Sequence, residues 1–156
     1  MMSQLVRGAF AGTTATTAMS AVMLAGDKVG LMREHPPKHI TRALLPGHPH
    51  RPKPGEKPMA VLAHYAFGAG AGALLALVTR GRGAPLPVGV AYGLAIWLAS
   101  YEGWVPSLTR LPPAHRDQPG RQLVMALGHV VFGSVLAASL RRRNRRAQEQ
   151  ETPPAP

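Results

Sequence analysis

A chain of 156 residues with a formal net charge of +11 is one domain's worth of polypeptide, biased toward acidic partners such as nucleic acid or anionic lipid. The absence of cysteine excludes a disulfide framework and a thiolate metal site. Mean hydropathy is close to zero, and the average conceals a segregation of apolar from basic residues.

In chain order, nineteen residues separate Arg7 from Asp27 without an Asp, Glu, Lys or Arg. Twenty-two separate Lys57 from Arg80, nineteen separate Arg82 from Glu102, and nineteen separate Arg121 from Arg141. About 18 uncharged, largely apolar residues suffice to cross a hydrocarbon core as a helix. The pattern predicts an all-α, four-helix transmembrane bundle, with spans at about 6–26, 58–79, 85–106 and 121–140. Residues 1–141 form the membrane domain, and 142–156 a basic, then proline-rich, disordered tail. The first span is the least apolar, and its threonine-rich middle is also a poor signal-peptide core. A soluble bundle would carry charge on the outer face of each helix, which these stretches lack. Nucleic-acid binding is disfavoured because stacking aromatics are scarce outside the apolar stretches.

Between the spans the chain turns basic and proline-rich. Residues 27–57 carry four histidines, His35, His39, His48 and His50, without thiolates or a carboxylate at ligand spacing. No metal site and no catalytic residue is expected there or elsewhere. Neither a nucleophile elbow nor a phosphate-cradling loop is present, so the chain does not read as an enzyme.

The two halves repeat one another. His-x-x-Phe-Gly occurs at 64–68 and again at 129–133, and GAFAG at 8–12 parallels GVAYG at 89–93. Each half supplies two crossings, so the halves are similar hairpins in a parallel repeat about the membrane normal. Gly8, Gly12, Gly68, Gly72, Gly89, Gly93 and Gly133 are the expected helix-packing positions. Ala73 is placed by helical phase on the side away from His64.

HYAFG, the stretch YGLAIWLASYEGWVP at 92–106, Leu111-Pro112-Pro113 and GHVVFG resemble the YagU-like family, small bacterial inner-membrane proteins of unknown molecular function. The resemblance spans roughly residues 5–141 and implies location and architecture. Glu34-His35-Pro36-Pro37-Lys38 is similar to the segment that follows the family's first span, without the aromatic residue that often precedes the acid.

Small residues follow each histidine at i+4 and i+8, so His64 and His129 should point into the bundle at similar depth. Asp27, Glu34 and Glu102 lie toward the same membrane face, which predicts one polar cluster of His64, Glu102, His129, Asp27 and Glu34. Such a cluster has a structural role or a proton- or pH-responsive one. The alternatives are bis-histidine haem ligation for electron transfer and small ion- or proton-coupled transport; no cofactor is the leading expectation. The bilayer is the expected partner, with anionic lipid at the cluster from Arg141 to Arg146, and a homo-oligomer or another membrane protein the further ones. Eight basic residues lie on the terminal side and ten on the other. The density of arginine directly after the last span nevertheless favours both termini in the cytoplasm.

Overall fold

The computed structural model describes residues 1–31, 45, 54–108 and 113–151, with 108, 114 and 143–151 as backbone only. Four long helices account for nearly all of it: α1 (Met2–Lys28), α2 (Glu56–Val78), α3 (Leu86–Leu98) and α4 (Pro119–Glu151). Helix α3 continues through a wider π turn, Ala99–Trp104, into one further helical turn, Val105–Leu108. Pro106 explains the widening. It has no N–H to offer the carbonyl of Glu102, and its ring crowds that carbonyl. Among the described residues there is no strand, and the chain is an all-α four-helix bundle. Helix α4 runs ten residues past Arg141, so 142–151 is helical where the sequence suggested a disordered tail. Arg, Ala, Gln and Glu dominate that stretch, and all are good helix formers.

Helix α1 packs against α2 and α4, and α3 packs against α4, while α2 and α3 make no comparable approach. The first pair and the last pair are therefore hairpins, joined along α1 and α4. Glycine sets the distance within each hairpin. A methyl built on Gly12 would sit inside the carbonyl oxygen of Gly68, and one on Gly8 would lie 2.6 Å from that of Gly72. In the other hairpin, methyls on Gly89 and Gly133 would each meet the other's carbonyl, and one on Gly93 would meet that of His129. All seven predicted packing glycines lie in these two seams.

The seams are not identical. Gly8 opposes Gly72 and Gly12 opposes Gly68, but Gly89 opposes Gly133, and Gly93 opposes His129. Alignment of the two phrases would set Gly89 opposite Ala137, the counterpart of Gly72. The Ala137 methyl already lies against Gly89, and the second hairpin is offset by about one turn. Ala73 is also closer to the seam than helical phase from His64 implies, with its Cα 2.7 Å from a methyl built on Gly8. Rows at i+4 drift around a helix, so by Gly72 the packed face has rotated toward Ala73. Gly70, with open space about it, marks the outer face.

Threonines make α1 compatible with this packing. Thr13, Thr14, Thr16 and Thr17 each donate a hydroxyl hydrogen to the carbonyl four residues earlier, which satisfies these four hydroxyls on a helix of weak apolarity. Thr16 is buried, and its hydroxyl lies where a Gly68 side chain would be. The connection from α2 to α3 turns on left-handed conformations at Arg80, Gly81 and Gly83, and Pro85 and Pro87 start α3.

Gly12→Ala and Gly133→Ala should each destabilise the bundle by about 1–3 kcal/mol or more, because the new methyl meets backbone that cannot rotate away. Gly70→Ala should be neutral or stabilise by up to about 1 kcal/mol through helix propensity. Thermal unfolding in detergent compares the three; equal effects would remove the two seams as the source of helix spacing.

Candidate functional site: an apolar cavity with two histidines

The absence of close packing between α2 and α3 leaves a cavity of about 300 Å³ between the hairpins. Its walls come from all four helices: Thr16 and Met19 on α1, His64 and Phe67 on α2, Trp97 on α3, and His129 and Phe132 on α4. The buried Tyr101, on the π turn, closes one end, and Trp104 of the same turn lies toward the opening. Phe67 is 50% exposed and Trp104 38% exposed, and their rings lie 6.4 Å apart at the mouth. On α3 and its continuation, residues 97, 100, 101 and 104 recur at helical spacing and form one wall. Tyr92 ties this wall to α2 by donating to the carbonyl oxygen of Ala71 at 2.8 Å.

The repeated phrase delivers both histidines to this cavity. His129 is buried, and its Nδ1 lies 2.8 Å from the carbonyl oxygen of Met125. A carbonyl only accepts, so Nδ1 carries the hydrogen and Nε2 of the neutral ring keeps its lone pair. The Nε2 of His64 is buried and has no hydrogen-bond partner among the described residues, and the same is true of the indole Nε1 of Trp97. Two polar atoms with unmet hydrogen bonds in one apolar cavity are uncommon in folded proteins.

The carboxylates do not join the histidines. Glu102 accepts from the backbone N–H of His115 at 3.0 Å, and its other oxygen lies 2.9 Å from that residue's Nδ1. Matched depth along the chain suggested that Glu102 belongs with His64 and His129, but its position around the helix axis lies off the wall formed by 97, 100, 101 and 104. Asp27 is exposed near the end of α1. Glu34 and the histidines at 35, 39, 48 and 50 lie outside the described residues. Among the described residues no group of three or more His, Asp or Glu could hold a metal ion.

A polar network absent from the sequence reading braces the closed end. The buried Tyr101 hydroxyl donates to the Oδ2 of Asp117, and Nη1 of Arg121 lies 3.1 Å from Oδ1 of the same carboxylate. Asp117 also accepts from the N–H of Gln118 at 2.7 Å, at the entry to α4. An Asp four residues before an Arg at a helix start is the trace this network leaves in sequence; its burial is not. Asp117→Ala should cost about 3–5 kcal/mol by leaving the Arg121 guanidinium buried and unpaired. Tyr101→Phe should cost about 1.5–3 kcal/mol, the range for a hydrogen bond to a charged group. Replacing Asp117 and Arg121 together by leucine should cost less than Asp117→Ala, a comparison made by thermal unfolding.

These features define a small helical-bundle protein with an uncharged, largely apolar internal cavity lined by two histidines, two tryptophans and a few hydroxyl residues. The chain belongs to DUF6789, a family of unknown function whose model matches residues 2–151. That match, and not the YagU-like resemblance, fixes the family. No curated protein and no solved structure matches the chain.

Proposed function

We propose that the protein is a four-span integral membrane protein that binds a small, lipid-soluble ligand in the cavity between its hairpins. The observation that carries this reading is an uncharged cavity lined by His64 and Trp97, each of which has a buried ring nitrogen without a hydrogen-bond partner among the described residues. Helices α2 and α4 (through Arg142) are long and apolar enough to cross a membrane. In α2 only 22% of the apolar window is buried, unlike the core helix of a soluble protein. Phe10, Leu24, Val61, Leu62, Leu74, Val78, Leu98 and Leu123 are all at least half exposed, and each lies in a charge-free stretch. Their distribution over all four helices favours lipid over water as the surroundings. The motifs shared with the YagU-like family support the same location, a bacterial inner membrane. The even number of helices places both ends of the bundle core on one side. The exposed Arg141 and Arg142 directly after the last apolar stretch favour anionic lipid there and termini in the cytoplasm.

A proton-relay role needs a carboxylate beside the imidazoles, and Glu102 is engaged by His115 instead. Bis-histidine haem ligation is disfavoured too. No Lys or Arg lines the cavity to meet the propionates, and about 300 Å³ is at the small end of ligand pockets.

The protein should remain in the membrane fraction after alkaline carbonate washing; release into the supernatant would overturn the membrane reading. A cysteine introduced at Ser3 should resist impermeant reagents added to intact cells, and labelling from outside would reverse the orientation. Purified in detergent, the protein should bind 2-methylnaphthalene saturably, read by tryptophan emission. Both tryptophans of the chain, Trp97 and Trp104, line the cavity.

A further inference from the structure

The chemistry of the cavity wall narrows the ligand beyond "small and lipid-soluble". This step rests on the binding reading above and deepens it. No lining residue is Asp, Glu, Lys or Arg, so a ligand with a phosphate or carboxylate would lose its hydration without gaining a counter-charge. The ligand is therefore neutral. Its body meets Phe67, Trp97, Tyr101, Trp104 and Phe132, five aromatic rings around one cavity, with the thioethers of Met19, Met23 and Met125 among them. Such walls suit a flat ring, through offset stacking, edge contacts and sulfur–aromatic contacts.

The polar atoms then specify what the ring carries. The Trp97 indole nitrogen is a donor only, and it is buried without an acceptor among the described residues. His64 lines the same cavity, and its buried, unpartnered Nε2 can supply a second N–H when the ring turns toward a ligand. A ring with carbonyl oxygens gives these donors what they lack. His129 offers the complementary group: with Nδ1 committed to Met125, Nε2 is a lone pair that accepts from a hydroxyl. Carbonyl and hydroxyl oxygens on a flat, neutral, lipid-soluble ring are the chemistry of a quinone and its hydroquinone.

We infer that the cavity is a binding site for a quinone-type head group, whose carbonyl oxygens take the N–H of Trp97 Nε1 and of His64 Nε2 as these covered rings turn to meet the ligand. The site is reached through the gap between α2 and α3, beside Phe67 and Trp104. Its volume of about 300 Å³ fits a one- or two-ring head group, and an attached isoprenoid chain would leave through the mouth into lipid.

The test titrates the full-length protein in detergent with menadione and, separately, with 2-methylnaphthalene, which has the same two fused rings and one methyl without the oxygens. Tryptophan emission is the readout, with free tryptophan amide as the control for absorption by the ligand. Menadione should bind about tenfold more tightly than 2-methylnaphthalene, the equivalent of about one well-placed hydrogen bond. Trp97→Phe keeps a ring and deletes the N–H, and Trp104 remains as reporter. His64→Leu keeps the bulk and deletes the imidazole. In each variant the ratio of the two affinities should fall from about tenfold to near parity, a ratio taken within one protein so that any change in cavity shape acts on both ligands. Equal affinity for the two ligands in the parent protein would overturn the quinone assignment and leave the binding cavity standing. Saturable binding of neither would overturn both. The parent comparison decides even where a variant proves too unstable to purify.

Discussion

Backbone-to-backbone approach at glycine holds this molecule together. Where Gly12 faces Gly68 and Gly89 faces Gly133, no side chain intervenes, and the two helices of each hairpin come as near as their carbonyls allow. In the membrane proposed above, the hydrophobic effect would give helices no reason to associate, and dispersion across such seams would be the available attraction. The rest follows from that constraint. Tight seams within each hairpin and along α1 and α4 use up the small residues, and α2 and α3, which present Phe67 and Trp97 to each other's side of the bundle, are held apart. The cavity is the space that bulky residues cannot close.

Its chemistry is set by a second constraint: polar groups buried between helices must find partners within the protein. The four threonine hydroxyls of residues 13–17 on α1 are satisfied within their own helix, and the Tyr92 hydroxyl donates to the carbonyl oxygen of Ala71. Against that background the nitrogens of His64 and Trp97 stand out as polar groups that the fold itself does not satisfy. The Tyr101–Asp117–Arg121 network has a different task. It anchors the aromatic wall to the start of α4, where the described chain re-enters the bundle.

Much of this was legible in the residues. Charge-free stretches gave the four helices, and the glycines of GAFAG, HYAFG, GVAYG and HVVFG gave the seams, because small residues at i+4 mark close packing regardless of what surrounds the helix. The repeated phrase also placed both histidines in one interior. What failed was azimuth. The depth of Glu102 could be read from its place in the chain, but a π turn before Pro106 and the pull of His115 decide which way it faces. The cavity was invisible for a related reason: it depends on which pair of helices stays apart, and the sequence periodicity of α2 and α3 does not encode that choice. The burial of Asp117 and Arg121 left no mark in the sequence, because it comes from partners such as Tyr101 on another element.

The unequal seams between the hairpins bear on how such a cavity can exist at all. Two identical hairpins pairing about a twofold axis would make the α1–α4 contact twice, once on each side, and both seams would be shut or both open. This chain has one seam shut, along α1 and α4, and its counterpart between α2 and α3 open. Divergence within the repeat, such as alanine at 137 against glycine at 72, is permitted only when the halves are encoded separately. A bundle open on one side and closed on the other is thus beyond the reach of a symmetric dimer of identical hairpins.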